Sequence, residues 1–402
     1  MAFHSLFRNF AAQKRKDMKI HNFNWLRLRA ASLVAIAMTA CCCTGNAQSG
    51  SSEAVAEQEP EYHQVRLIFG GDLMQHEPQI KAARQADGTY DYSGVFDYMA
   101  PIIKDADIAI ANFEVTLGGP PYKGYPQFCA PDAYLQAAID CGFDVLTTCN
   151  NHSVDTRGRG IDRTITMMDS LGVRHLGTYR NQAERDKLYP FIIEHDNIRI
   201  CLLNYTYGTN GIPVPSPYIV NLIDTAVIAK DIEKAKAMNP DVIIALPHWG
   251  DEYVLLPNKG QRDLADWMFA RGVDHIIGGH PHVVEPIEVR EINGEKHLLA
   301  YSLGNFVSNQ SRPNTDGGTM VRMTLVKDQN GTYLTDCGYN LYWVSRPVTS
   351  GLRNYRVLPS SYPDEKLNAT ERAKRDNYLR NTRALFAKHN KGIKEDSLQI
   401  KD

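Results

Sequence analysis

Short apolar runs alternate with polar, helix-like stretches through the middle of the chain. Five runs have the length and mainly apolar character of buried strands: 65–69, 108–111, 145–148, 241–246 and 275–277. Apolar residues at helical spacing predict helices between them, near 131–141, 157–171, 224–238 and 258–271. Strands that alternate with helices in this way are typical of an α/β fold, which we therefore expect here.

The pattern changes after residue 285 to shorter, alternating segments that predict further strands at 287–289, 297–301, 320–325 and 332–344. Residues 364–390 are charged, with a thin apolar set at helical spacing. We expect one domain over 64–345 and a partly helical C-terminal extension over 346–402.

The N-terminal segment has the character of an export signal. Basic residues precede the apolar run Ala30–Ala40, which is too short to span a bilayer, and Met18 offers a second start. Cys41 follows this run directly, as in a bacterial lipobox, and would then be the lipidated N-terminus. Cleavage after Ala47 would instead release a soluble protein. Residues 1–47 are thus predicted to direct export, and the polar residues 48–63 to form a flexible tether.

Composition and charge narrow the classes of protein. Of 402 residues, 43% are hydrophobic and 22% charged, and the formal net charge is −2. Residues 1–50 hold seven basic residues and one acidic residue, so the rest of the chain carries −8. This balance excludes a basic nucleic-acid binder, and a mean hydropathy of −0.36 excludes a polytopic membrane protein. Five cysteines beyond the signal leave disulfide pairing open.

Each of the five apolar runs ends just before polar residues that can bind metal. The candidates are Asp72, Glu114, Asn151, His248 and His280. Ligand sites in α/β sheets form outside the carboxyl ends of the strands, so five such endings together predict a site. A mixed set of nitrogen and oxygen ligands suits one or two ions of Mn, Fe or Zn. Taken singly, Asp72 and Asn151 have a plainer explanation as turn residues, and His248 has one as a packed core histidine.

The segment His280-Pro281-His282 is the sharpest local motif. Two glycines before it allow a tight turn. We expect an extended segment here with imidazoles that diverge, which would suit two adjacent metals better than one. The alternative is a turn that carries two solvent-exposed histidines.

Several sequence blocks together resemble a known family. They are Gly71-Asp72-Leu73-Met74, Ala111-Asn112-Phe113-Glu114, Asn150-Asn151-His152-x-x-Asp155, His248-Trp249-Gly250-Asp251-Glu252-Tyr253, Gly279-His280-Pro281-His282 and Tyr301-Ser302-Leu303-Gly304-Asn305-Phe306. In this order, over about 65–310, they resemble the CapA-type capsule-synthesis (poly-γ-glutamate) family. That family is similar to the calcineurin-like metallophosphatases.

The resemblance implies a four-layer α/β/β/α sandwich with a two-metal site at the strand ends. It implies metal ligands at Asp72, Glu114, Asn151, His248, His280 and His282, with Glu114 in the bridging position. It also implies His152 as the catalytic histidine beside the leaving group. We expect Asp155 to assist it by orienting either the Asn151-His152 turn or His152 itself. Substrate contacts or supports for the ligands are expected at Asn112, Asn150, Glu252 and Asn305.

One departure from the phosphatase pattern leaves the function open. The phosphatase motif Asp-x-His is here Asp72-Leu73-Met74, so one ion loses an imidazole and a single-metal site stays possible. The first hypothesis is metal-assisted hydrolysis of a phosphoester, a γ-glutamyl bond or another bond in an anionic polymer. The alternative is a non-catalytic factor that binds such a polymer during export or assembly. In either case we expect the protein itself to be a lipoprotein anchored to a membrane of the bacterial cell envelope, on the periplasmic or surface side.

Overall fold

The structure is a computed structural model that describes residues 62–349 and 351–396. In chain order its strands are β1 (His63–Leu73), β2 (Ile108–Phe113), β3 (Val145–Thr147), β4 (Arg174–Leu176), β5 (Thr178–Tyr179), β6 (Phe191–His195), β7 (Ile198–Thr206), β8 (Ile219–Val220), β9 (Val242–His248), β10 (His275–Ile277), β11 (Ile287–Ile292), β12 (Glu295–Ala300), β13 (Asn305–Val307), β14 (Gly317–Asp328), β15 (Gly331–Ser345), β16 (Val348–Thr349), β17 (Leu352–Arg353), β18 (Arg356–Pro359) and β19 (Lys394–Glu395). The helices are α1 (Glu77–Ala83), α2 (Ser93–Phe96), α3 (Ala100–Ile103), α4 (Asp132–Cys141), α5 (Arg157–Leu171), α6 (Gln182–Leu188), α7 (Thr225–Ala237), α8 (Lys259–Phe269) and α9 (Ala369–His389), with a 3-10 turn at Asp364–Lys366.

Two sheets form the centre of the fold. The first runs β18-β15-β14-β1-β2-β3-β4, with β13 added beside β1 and β19 beside β15. The second runs β11-β12-β10-β9-β7-β6. Strands β1 to β4 are parallel to one another, as are β7, β9 and β10, so the carboxyl ends of each parallel set meet at one edge. The pairs β16-β17 and β5-β8 are small separate ribbons.

The two sheets pack face to face, and helices cover their outer faces. On β1, Leu67 joins the same apolar core as Leu202 of β7 and Ile244 of β9. The opposite face of β1 buries Ile68 in a second core with Ala138 of α4. Helices α7 and α8 pack on the second sheet in the first core. The fold is therefore α/β, with a helix–sheet–sheet–helix order of layers.

Local sequence signals set the ends of the main helices. Helix α4 ends at Gly142 and α5 at Gly172, both with positive φ, where the absence of a Cβ removes the steric penalty. A reciprocal cap begins α8: the side chain of Asn258 accepts from the backbone amide of Gln261, and the side chain of Gln261 accepts from the backbone amide of Asn258. The four long helices predicted between the apolar runs form within one to two residues of the expected limits.

The C-terminal extension contains more than a helix. Residues after 345 form α9 and also strands β18 and β19, which pair with two parts of β15. The hydrophobic pattern did not predict these two strands, nor the hairpin of β6 and β7. The predicted start of the domain at 64 lies one residue inside β1.

The predicted export signal, Cys41 and nearly all of the tether lie outside the described residues. Within the described ranges, no helix is both long and apolar enough to cross a bilayer. The five cysteines of this part are free thiols rather than disulfides: Cys129, Cys141, Cys149, Cys201 and Cys337.

Candidate metal centre

The site lies where the strand ends of the two sheets meet. From the first sheet, β1 contributes Asp72, the end of β2 Glu114, and the turn after β3 Asn151. From the second sheet, β9 ends at His248, and the segment after β10 carries the two further histidines. An isolated parallel bridge between His248 and Gly279 aligns the two endings of the second sheet. The five predicted strand endings thus converge, but they come from two sheets.

A bulge in β1 sets the position of Asp72. The pairing with β2 shifts register between Phe69 and Asp72, so that Asp72 stands opposite Asn112. Gly71 makes the bulge possible, because a Cβ there would lie 2.0 Å from the carbonyl oxygen of Gly304. The amide of Asp72 donates to that same oxygen at 2.9 Å. The backbone at Gly71 and Asp72 is therefore closely held against Gly304.

Glu114 is shared by two groups of potential ligand atoms. One group is Asp72, Glu114 and His282, and the other is Glu114, His248 and His280. Glu114 Oε1 lies 3.5 Å from His248 Nε2 and 3.7 Å from His282 Nε2. A carboxylate that reaches two ligand groups is the arrangement that a bridged pair of cations requires.

Three asparagines order the two ligand groups. Asn112 Nδ2 donates to Asp72 Oδ1 at 2.8 Å and to Glu114 Oε2 at 3.2 Å. Asn150 donates to Asn112 Oδ1 at 3.1 Å and accepts from the amide of His152. Asn151 Oδ1 lies 2.8 Å from His248 Nε2, which places its oxygen beside the second ligand group. Asn112 and Asn150 therefore support the ligands, and Asn151 offers a further oxygen.

The six predicted metal ligands are each at most 3% exposed, which makes their unpaired atoms informative. Glu114 Oε1 and His280 Nδ1 are buried without a hydrogen-bond partner. Buried polar atoms almost always have a partner, so such orphans point to a missing group, here a cation. The site therefore fits a divalent metal ion.

Burial and mutual charge set the protonation of the cluster. Burial, helped by the charge of Asp72, raises the pKa of Glu114 to about 8. Burial lowers the pKa of His248 to about 4 and that of His280 well below its ordinary value. Burial opposes ionisation of Asp72, but contact with His282 and the charge of His248 outweigh it and lower its pKa. Burial lowers the pKa of His282 too, but the charge of Glu114 and the contact with Asp72 outweigh it and raise that pKa. Metal binding needs neutral imidazoles, which His248 and His280 provide, whereas Glu114 would release its proton when an ion binds.

His152 and Asp155 form a second unit at the edge of the ligand groups. Asp155 Oδ2 accepts from His152 Nδ1 at 2.7 Å and from the amide of Phe128 at 2.6 Å. The ring of Phe128 packs edge-on against His152, with centroids 4.5 Å apart. With Nδ1 bound to Asp155, Nε2 is the ring nitrogen left for chemistry. The structure thus brings the Asp155 carboxylate into contact with the His152 ring, which is the contact that an orienting role would need.

The His280-Pro281-His282 segment departs from the expected extended form. Its histidines have φ of 100° and 58°, in the left-handed region. Their ring centroids lie 5.8 Å apart, and each histidine joins a different one of the two groups that share Glu114. The premise of an extended segment was wrong, because two residues with positive φ coil the backbone. An extended segment would also have placed both imidazoles on one face instead of separating them. The separation of the imidazoles into two groups is nevertheless present.

Two other predicted residues have different surroundings. Asn305 is fully buried, and its amide donates to the carbonyl oxygens of His282 and Thr315 at 3.2 and 2.9 Å. It therefore holds the histidine segment and does not line the opening. Glu252 is exposed, and its carboxylate lies within 4.8 Å of ligand atoms of both His280 and His282.

Aromatic side chains on the solvent side of His280 and His282, which we call the opening of the site, were not predicted. Tyr207 packs on His280 with ring centroids 4.5 Å apart and is 48% exposed. Tyr253 lies 6.1 Å from His282, and the guanidinium of Arg312 stacks 4.4 Å over the Tyr253 ring. Tyr253 is the last residue of the motif that begins at His248, but no site role was predicted for it. Tyr207 follows strand β7, which was not predicted, and Arg312 has no local signal.

Comparison with known proteins identifies the family. Residues 66–310, more than half of the chain, match the family described as "Bacterial capsule synthesis protein PGA_cap". The chain belongs to this family. Among PGA_cap relatives it is similar to "Capsule biosynthesis protein CapA" of Bacillus anthracis, at 29% identity over 76% of this chain and 75% of that protein. It is 28% identical to "PGA biosynthesis protein CapA" of Bacillus subtilis (strain 168), over 83% and 84%.

Solved structures overlap with this PGA_cap chain only loosely. Haemophilus influenzae NAD nucleotidase (NadN) gives a TM-score of 0.45 at 12% identity, covering 84% of this chain and 58% of that one. The calcineurin-like phosphoesterase YfkN from Bacillus subtilis gives 0.43 at 15%, covering 80% and 100%. Overlaps of this size carry no conclusion about activity.

Proposed function

We propose that this chain is a metal-dependent hydrolase that acts on an anionic surface polymer at the bacterial cell envelope, during capsule or poly-γ-glutamate synthesis or processing. The observation that carries the proposal is the buried Glu114, shared by two ligand groups beside the oriented pair His152–Asp155. Membership of the capsule synthesis family supports the polymer as the substrate class. The bond cleaved would be a phosphoester, a γ-glutamyl amide or another link in such a polymer.

The roles of the residues follow from their positions. Asp72, Glu114 and His282 would hold one ion. Glu114, His248 and His280 would hold the other, with Asn151 as an additional oxygen ligand. Ions bound there would supply a water of lowered pKa and polarise the bond to be cleaved. His152 would donate a proton to the leaving group from Nε2, because Asp155 accepts from Nδ1.

An anionic substrate has to overcome the charge of the domain. Beyond residue 50 the chain carries −8, so the overall field repels a polyanion. Arg312, stacked on Tyr253 at the opening, provides a local positive charge. Tyr207 adds an exposed ring beside His280. We propose that these three side chains contact the part of the polymer that flanks the reacting bond.

The metal requirement can be tested directly. We expect one or two ions of Mn, Fe or Zn per chain by elemental analysis, and loss of at least one in His280→Ala. His389→Ala, in α9, is the matched control, and it should keep the wild-type metal content. Metal-free protein that fails to take up any of these ions on addition would exclude the metal centre.

The hydrolase activity needs a separate assay. Full-length protein is offered chromogenic phosphoesters, γ-glutamyl peptides and poly-γ-glutamate, with and without the ion found. We expect metal-dependent cleavage of at least one of them and its loss in His152→Ala with metal content unchanged. Equal rates in His152→Ala and wild type would remove the assigned proton donor.

A non-catalytic polymer-binding factor is the second candidate. Met74 favours it, because it stands where the related phosphatases carry a histidine, and it is buried as part of an apolar core. This candidate predicts polymer binding that needs the metal ions and persists in His152→Ala. Binding without turnover of any substrate in the screen would favour it over the hydrolase.

The location is proposed from the sequence of residues 1–47. We propose export and lipidation at Cys41, which would tether the domain to a membrane on the periplasmic or surface side. Incorporation of labelled palmitate should be lost in Cys41→Ser and kept in Cys42→Ser. Labelling that persists in Cys41→Ser would exclude this anchor.

A further inference from the structure

A third group of ligand atoms lies on the exposed side of the two histidines. It consists of Glu252, His280 and His282, whose ligand atoms lie within 4.8 Å of one another. Glu114 reaches the same histidines and is fully buried, whereas Glu252 is exposed. The two carboxylates therefore approach the imidazoles from the interior and from the solvent side.

The loop that carries Glu252 is held on both sides of this residue. Before it, Asp251 Oδ2 accepts from Asn258 Nδ2 at 2.7 Å, at the start of α8. After it, the amide of Tyr253 donates to the carbonyl of Pro281 at 2.8 Å, between the two histidines. These anchors hold the Glu252 backbone over the histidine segment, so its position is set by the fold.

The buried ligands leave coordination positions to fill. The group of Asp72, Glu114 and His282 offers three side chains, of which one supplies nitrogen. Zinc takes four or five ligands and manganese commonly six, so an ion bound there needs at least one more. Water or a side chain from the solvent side can supply it, and Glu252 is the carboxylate on that side.

We propose that Glu252 is a metal ligand, a carboxylate that binds the ions from the open face beside His280 and His282. This inference rests on the proposed metal centre and adds a ligand to it. A ligand on an exposed loop can leave without unfolding the buried core. Glu252 therefore closes the open face in the resting protein and yields its position to an anionic group of the substrate.

Metal titration of the full-length chain tests this assignment. Protein stripped with chelator is titrated with MnCl₂ or ZnCl₂ at pH 7 by calorimetry. Loss of a supporting group typically weakens metal binding by about 10–100-fold, and loss of a direct ligand should weaken it at least about tenfold for one ion. We expect this in Glu252→Gln, and a smaller loss in Glu252→Asp, which keeps the charge but shortens the reach.

The control is Asp251→Asn, which removes an equal charge one residue away and can still accept from Asn258. It should bind metal within about twofold of wild type. Equal weakening in Glu252→Gln and Asp251→Asn would show a general field effect and overturn the assignment. Wild-type affinity in Glu252→Gln would overturn it too, while leaving the metal centre in place. Absence of metal binding in wild type would refute both, and unchanged melting temperatures of the metal-free variants would confirm intact folding.

Discussion

Replacing Glu114 with glutamine removes a buried carboxyl group whose ionisation the metal-free fold opposes. Glu114 has no exposed surface, and its pKa is raised from 4.5 to about 8 by burial and by the charge of Asp72. Glutamine has the same shape and keeps an oxygen that can accept from Asn112. The substitution therefore removes the charge and keeps most of the packing.

The sign of the effect follows from proton linkage. The folded protein holds the Glu114 proton to higher pH than the unfolded chain does, so its contribution to stability is complete below pH 4.5 and falls as pH rises toward 8. From pH 4.5 to pH 7, a span of about 2.5 pH units, the unfolding free energy of the wild type falls by about 3 kcal/mol through this group. The Gln variant lacks this loss. Without metal, the stability of the variant should therefore increase relative to that of the wild type as pH rises.

Urea unfolding with chelator present, at pH 5, 6, 7 and 8, measures this difference. We expect the free energy of unfolding of Glu114→Gln to gain on wild type by about 3 kcal/mol from pH 5 to pH 8. Adding Mn²⁺ at about a hundred times its dissociation constant should stabilise wild type by about 3 kcal/mol and the variant far less. Parallel pH curves for the two metal-free proteins would refute a raised pKa at Glu114. Equal stabilisation by Mn²⁺ would refute its role as the shared ligand.

Three further substitutions test other parts of the site. Asp155→Asn should lower kcat for any hydrolysed substrate by about 100-fold or more, with metal content unchanged by elemental analysis, because His152 loses the carboxylate that orients it. Arg312→Ala should raise KM for a polyanionic substrate about threefold at low salt and less at high salt. The control is Arg271→Ala, because the Arg271 guanidinium also stacks on a ring, that of Trp267 in α8, and its loss should leave KM unchanged. Equal KM values for Arg312→Ala and wild type at low salt would contradict a substrate contact. Gly71→Ala should destabilise the protein by about 3 kcal/mol in thermal unfolding, because the new Cβ would meet the Gly304 carbonyl oxygen. The control is Gly94→Ala, whose Cβ would face open space, and it should melt close to wild type. Similar melting temperatures for the two variants would show that the bulge can relax.

The sequence predicted the strand endings well because each is a local signal. A mainly apolar run followed by a polar turn can be recognised without knowing its neighbours, and Asp72 and His248 were predicted in this way. The hairpin of β6 and β7 also had such a signal. Asp196 and Asn197 form its turn with positive φ between two apolar strands, a pattern typical of tight hairpins. The local pattern therefore indicates this hairpin, although it was not among the predicted elements.

Other features depend on contacts between distant segments and have no local signal. The strand endings come from two sheets, which the order of elements along the chain does not reveal. The coiled backbone at His280 follows from its contacts with Asp72 and the neighbouring strands, not from its own sequence. Likewise, Tyr207 reaches the site because β7 lies beside β9. These residues could be assigned only after the strands had been placed.

The last described residues have a consequence for how the protein behaves as an isolated domain. Strand β19 pairs with Gly338 and Tyr339 of β15, and β18 pairs with Tyr342–Ser345. Both strands lie beyond residues 66–310, which match the family. A chain cut after residue 345 would present these backbone groups to solvent as a free strand edge. Such edges recruit further strands, including those of identical molecules. The C-terminal segment thus protects the domain against self-association, and shortened versions should aggregate even with an intact metal centre.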